Sequence, residues 1–196
     1  MILDISSYNG DIDFDLLMGS GEVERFILRS TIKSGDFDCK FLSNLNAIIK
    51  CNPNIPIDCY KFTYARNYNE AAMEAFELVQ MLKASGVSRE ISYLWLDIEP
   101  VNGHVHTMRE CAEIIAAYAI VCREYAIAFG IYCNYSYAKG VIPKWAKNFP
   151  MWLARWTDGD MGDVSPFDVF MWQYTSKGRV PGIEGVVDLS RYVGSA

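Results

Sequence analysis

The sequence predicts a single-domain α/β protein, a TIM-like (β/α)5(β)3 barrel spanning residues 1–196. Three observations carry that reading. Up to Ala146, apolar strand patterns alternate with helical or turn-rich segments in five units. Three more strand patterns follow, joined by connectors rich in Gly, Asp and Pro that carry no helical stripe. Carboxylates and aromatic rings gather at the ends of several of these strands, where barrels of this kind keep their chemistry.

The first strand is Ile2-Leu3-Asp4-Ile5-Ser6, with Asp4 near its C-terminal end and a turn at Ser7-Tyr8-Asn9-Gly10. Asp13 to Met18 form a short helix that ends near Gly19 and Gly21, and Phe26 to Ser30 are the second strand. Asp38 is expected to cap a helix with Phe41, Leu45, Ile48 and Ile49 at helical spacing, broken by Asn52-Pro53-Asn54. Ile57 to Phe62 are the third strand. A helix from Asn69 to Ala84 follows, with Ala72, Phe76, Val79 and Leu82 on one face and Gly86 beyond its end.

The fourth strand pattern is the centre of the chain: Tyr93-Leu94-Trp95-Leu96-Asp97-Ile98-Glu99, stopped by Pro100. Strand alternation puts Trp95, Asp97 and Glu99 on one face and the aliphatic Leu94, Leu96 and Ile98 on the other, where a helix should pack. Burying a charge without a partner costs several kcal/mol, so a core has no use for the acid pair. A site does, with one carboxyl kept protonated and the other ionised.

Thr107 and Glu110 have the spacing of a capping box, opening a helix with Cys111, Ile114, Ile115, Tyr118, Cys122 and Tyr125 as its buried stripe. Ala126 to Tyr132 are the fifth strand, and Tyr135 to Ala146 a Pro-interrupted helical piece. The last three strands are Met151–Trp156, Val169–Tyr174 and Gly185–Leu189.

The net charge of −6 argues against a nucleic-acid partner, since phosphate binding needs a basic surface. No apolar run reaches membrane length. Met1 leads straight into Ile2-Leu3-Asp4, with no basic or apolar leader, so no signal peptide is expected. The six cysteines include no CxxC pair, and Cys59, Cys111, Cys122 and Cys133 fall at positions expected to be buried as free thiols.

Reading off the strand ends gives Asp4, Tyr60, Asp97, Glu99, Tyr132, Trp152, Trp172, Gln173 and Asp188 as one candidate constellation. Clustered acids among aromatic rings suit glycoside hydrolysis, which needs a general acid and negative charge near an oxocarbenium-like centre. Two rivals remain at this point. One is a metal hydrolase using His104 and His106, the only two histidines, though this loop precedes a capping box and its histidines are expected to face solvent. The other is a carbohydrate-binding barrel with little turnover.

The motifs Asp4-Ile5-Ser6-Ser7-Tyr8-Asn9-Gly10, Leu96-Asp97-Ile98-Glu99-Pro100, Trp152-Leu153-Ala154-Arg155-Trp156, Trp172-Gln173-Tyr174 and Val187-Asp188-Leu189-Ser190 resemble, in order, those of glycoside hydrolase family 25. These are the Chalaropsis-type lysozymes, or N-acetylmuramidases, common among endolysins and autolysins. The resemblance implies a (β/α)5(β)3 barrel that cuts the β-1,4 bond between N-acetylmuramic acid and N-acetylglucosamine. It implies Glu99 as proton donor, Asp97 as assisting carboxylate, and Asp4 and Asp188 as the network that sets the proton inventory. Tyr60 and Gln173 would line the cleft, and Tyr132, Trp152 and Trp172 would be sugar platforms. No metal or cofactor is implied. The expected partner is the glycan strand of peptidoglycan, met by a monomer, with no nucleic acid or membrane, and reached through cell lysis or export. The chain departs from the family at Lys61, where many members have His or an aromatic residue. Alternation turns Lys61 away from the cleft.

Overall fold

The computed structural model describes residues 1–193. Eight strands close into one barrel in sequence order: β1 Ile2–Ile5, β2 Arg25–Arg29, β3 Ile57–Phe62, β4 Ile91–Asp97, β5 Ala128–Asn134, β6 Met151–Ala154, β7 Val169–Gly178 and β8 Val187–Tyr192. Strands β1 to β7 pair in parallel. β8 runs antiparallel to both β7 and β1, and so closes the barrel. An antiparallel return needs no helical crossover, which is why a short, polar connector suffices before β8. The β6–β7 connector has no helix either, although its strands are parallel. The five-plus-three rhythm expected from the sequence is therefore the architecture observed.

Five α-helices accompany the early strands: α1 Phe14–Gly19, α2 Phe41–Cys51, α3 Tyr68–Ala84, α4 Met108–Glu124 and α5 Tyr135–Gly140. The capping box at Thr107 is formed, with Thr107 Oγ1 accepting from the Glu110 N–H and a Glu110 carboxylate oxygen accepting from the Thr107 N–H. The predicted stripe on α4 is buried from Cys111 to Cys122. The stripe on α3 is different. Its buried residues are Ala71, Ala75, Leu78, Val79 and Leu82, whereas Phe76 is 47% exposed and Ala72 half-buried. Two alanines set four apart let α3 lie close to its neighbours, and the bulky Phe76 is pushed to the edge against Tyr125. Asp38 does not cap α2. Its carboxylate accepts instead from the Ser7 backbone N–H, the Ser7 hydroxyl and the Lys40 N–H, tying the turn after β1 to the loop before α2.

Inside the barrel, alternation stacks side chains in layers. Near the N-terminal end, Arg25 pairs with buried Asp58 at 2.5 Å, and Trp95 Nε1 donates to the other Asp58 oxygen at 2.8 Å. Above them, Ile2, Ile27, Trp95, Trp152 and Met171 pack as one inner cluster. The Trp95 ring lies over Gly130, its register partner on β5, where an added Cβ would sit 2.2 Å from the ring. Leu94, Leu96 and Ile98 face outward into the larger core shared with the helices, as alternation requires. The barrel is thus filled from below, and polar side chains are left for its C-terminal mouth.

Candidate active site

The mouth holds a pocket of about 800 Å³ lined by Asp4, Tyr60, Asp97, Glu99, Tyr132, Trp152, Gln173 and Asp188, among others. Eight of the nine residues expected at the strand ends therefore meet in one cavity. Asp4 and Asp188 are direct register partners across the antiparallel β1–β8 seam, so both point to the same face. Asp97 is the last residue of β4, and Glu99 lies just past the strand's end.

Gln173, on β7, ties these strands together. Its amide nitrogen donates to Asp4 Oδ2 at 3.0 Å and Asp188 Oδ2 at 3.4 Å. Its amide oxygen accepts from the Tyr132 hydroxyl at 3.1 Å and Trp156 Nε1 at 3.0 Å. Two donors on the oxygen leave only one way round for the amide. Asn134 is oriented by the same logic. Its oxygen accepts from the Tyr137 N–H at 3.0 Å, capping α5, which turns its NH2 toward Glu99 Oε1 at 3.5 Å.

The electrostatics follow from burial: among the described residues none of the four acids takes part in an ion pair. Asp97 is 6% exposed and its Oδ1 has no hydrogen-bond partner. Burial first, then the neighbouring Glu99 and Asp4 charges, hold its carboxyl well above the usual carboxylate range, against a smaller opposing pull from Arg29. Asp4 is likewise held well up, by burial and then by Asp188. Glu99 is raised by burial, with the Asn134 hydrogen bond opposing and the Asp188 charge adding to the rise. Asp188 is raised by burial, with a hydrogen bond from Asp4 pulling it back. The arrangement stores protons beside a cavity open to a ligand, as an acid-catalysed reaction requires.

The aromatic residues divide. Tyr132 and Trp152 pack at 4.4 Å between ring centroids and are almost fully buried, and Trp152 Nε1 donates to Ser190 Oγ at 3.0 Å. They form the wall and floor. Trp172 is not brought into the pocket: it points outward from β7, is 4% exposed, and donates through Nε1 to the Arg155 carbonyl. Its strand position has the opposite parity to Met171 and Gln173, which face inward. The exposed ring at the rim is Trp156, at 61% exposure. Trp156 is absent from the constellation expected at the strand ends, although it shares the parity of Trp152 and Ala154, which is the signal in the sequence that points to it. Asn134 and Tyr137 also line the cavity, and only the capping turn that starts α5 would have pointed to them.

The histidines do not face solvent together as expected. His106 is 1% exposed, held between the Tyr137 hydroxyl and the Ala65 carbonyl, while His104 contacts Glu110 at 3.1 Å. The loop folds back because its capping box anchors it to α4. Neither ring lines the acid pocket. Lys61 faces the outer side of the barrel, in a separate cavity of about 100 Å³ with Thr31 and Glu74.

The family described as glycosyl hydrolases family 25 matches residues 3–183. No curated protein matches the sequence. Among solved structures, the modular autolysin LytC from Streptococcus pneumoniae, in complex with a synthetic peptidoglycan ligand, aligns with a TM-score of 0.83 at 24% identity, over 96% of this chain and 45% of that one. The catalytic domain of endolysin ply40 from bacteriophage P40 of Listeria monocytogenes gives 0.75 at 24% identity, over 98% and 92% of the two chains. The bacterial lysozyme from Streptomyces coelicolor gives 0.75 at 22% identity, over 99% and 92%. At these identities the likeness is one of fold, and this chain spans less than half the length of the pneumococcal autolysin.

Proposed function

The chain belongs to glycosyl hydrolases family 25, and from that premise we propose that it is a peptidoglycan hydrolase that cuts the β-1,4 bond between N-acetylmuramic acid and N-acetylglucosamine. The observation that carries the reading is the convergence of Asp4, Asp97, Glu99 and Asp188 in one aromatic-walled pocket. The autolysin described with a synthetic peptidoglycan ligand lends support through its shared fold.

Glu99 is the general acid in this mechanism. It lies beyond the strand end, less buried than Asp97, with its carboxyl raised above the ordinary range and its orientation set by Asn134. It delivers its proton to the glycosidic oxygen as the bond to the anomeric carbon breaks. Asp97 assists. Its unpartnered Oδ1 is an acceptor in need of a donor, and the N–H of the sugar's 2-acetamido group supplies one. That hydrogen bond steers the acetamido oxygen toward the anomeric carbon, or Asp97 in its ionised form stabilises the positive charge there directly; water then adds to that carbon and gives its proton to a carboxylate of the site. Asp4, Asp188 and Gln173 hold the proton count around the pair. Tyr60, Tyr132 and Trp152 shape the wall, and Trp156 offers the sugar an exposed face. The substrate is the glycan strand of the cell wall, reached on lysis or export, and no metal or cofactor takes part in these steps.

Mass spectrometry of digested peptidoglycan tests the bond. Muramic acid at the new reducing ends is the expected result; glucosamine there would reassign the specificity. Binding to glycan with no new ends at all would make the protein a carbohydrate-binding barrel.

A further inference from the structure

No helix follows β6 or β7, and a second groove of about 670 Å³ runs along the outer side of β7 and β8. That volume falls in the range of about 300–1,000 Å³ typical of ligand sites. Trp156 lines both this groove and the acid pocket, so the two cavities meet at one exposed ring. The groove has an aromatic floor and a cationic edge. Trp172 and Tyr174 form the floor. Arg191, the register partner of Trp172 on β8, lays its guanidinium 4.6 Å from the Trp172 ring centroid and 5.7 Å from that of Tyr174. Lys177 stands beside them. Among the described residues neither Lys177 nor Arg191 takes part in an ion pair, and the only acid lining the groove is Asp158. In a chain of net charge −6, this is a local reversal of sign next to a pocket lined by four carboxylates.

We propose that this groove seats the anionic peptide stem of the glycan whose sugars occupy the acid pocket. The inference rests on the muramidase reading, because that substrate carries a carboxylate-bearing peptide on each muramic acid. Because Trp156 lines both cavities, a stem leaving a sugar bound there has the groove beside it. The stacked Arg191 offers a pre-oriented fork of N–H donors to a carboxylate, and Lys177 adds a mobile charge.

The test compares glycan strands carrying intact stems with the same strands stripped of them by an amidase. For the wild-type chain, kcat/KM on stem-bearing strands is expected to exceed that on stripped strands about tenfold, the yield of one charge-assisted contact. In Lys177→Glu/Arg191→Glu the ratio should fall to about one or below, through KM rather than kcat, while Lys177→Arg keeps it. A wild-type ratio near one, or a ratio that survives the double reversal, overturns the proposal. If the double variant melts early, Arg191→Gln decides by the same ratio. If neither strand is cut, the muramidase reading fails by itself, and the groove is judged on binding alone. Saturable quenching of tryptophan fluorescence by the N-acetylated peptide N-acetyl-L-Ala-γ-D-Glu-L-Lys-D-Ala, whose blocked amine leaves it anionic like the stem, lost in the double variant, then supports it; no quenching overturns it.

Discussion

Asp97 carries a stability cost that depends on pH. A buried carboxyl with an unpartnered oxygen is raised in the folded state, so the folded protein binds more protons than the unfolded chain. Its contribution is harmless below the unfolded carboxylate pKa near 4. Above that pH it destabilises increasingly as pH rises toward the folded value, and the loss levels off beyond it. Asp97→Asn should therefore melt higher than wild type at pH 8, by a few degrees, since about 1 kcal/mol moves a domain of this size by about 2–4 °C. The gain should shrink at pH 4, and equal gains at both pH values in thermal melts would contradict the assignment. Glu99→Gln belongs to the same scale. It should fold with a melting temperature close to wild type and lose about 10²–10⁴-fold or more in turnover on purified peptidoglycan; wild-type turbidity loss would remove Glu99 from its role. Both acids were legible in the sequence, because an acid pair at i, i+2 ending an apolar strand has few structural uses. Gln173 was legible as a strand-end residue but not as the clamp it is. Its partners come from β1, β5 and β8, and no local pattern announces a bond across that separation.

Among the elements, β4 and β5 show what strand packing demands. Trp95 fills the barrel only because Gly130 on β5 lacks a side chain, and a Cβ there would overlap the ring. Gly130→Ala should cost about 1–3 kcal/mol, the usual range for overpacking, read as a lower midpoint in a urea titration at unchanged slope. An unchanged midpoint would mean the ring can slide. Displacing Trp95 would also disturb Asp58, which takes its indole N–H, so the loss should be felt at the far end of the barrel from the pocket. Element order and type were legible because strand and helix periods differ. Faces were legible where bulky residues mark them, as on α4. They were not on α3, where closeness is achieved by Ala71 and Ala75 and the bulky Phe76 misleads. The burial of His106 was not legible, because it depends on Tyr137 and Ala65, both distant in sequence.

Over the whole molecule, the last strand does two jobs. β8 closes the barrel against β1 and brings Asp188 opposite Asp4. A chain ending at Glu184 would lack β8, and with it one site acid and both antiparallel pairings. Such a chain should show neither a cooperative melt nor any release of sugar from peptidoglycan; partial activity would mean that the remaining strands can assemble the pocket alone. The barrel rhythm was legible down to the missing helices of the last third. What those missing helices expose, the groove along β7 and β8, was not, because it is made by side chains that alternate outward and so read as ordinary surface.

The seam between the first and last strands also sets a clock. A chain still on the ribosome, made only as far as Glu184, holds three of the four pocket acids and no closed cavity. An enzyme of the kind proposed here is thus silent toward any wall until β8 has been made, with no inhibitor required.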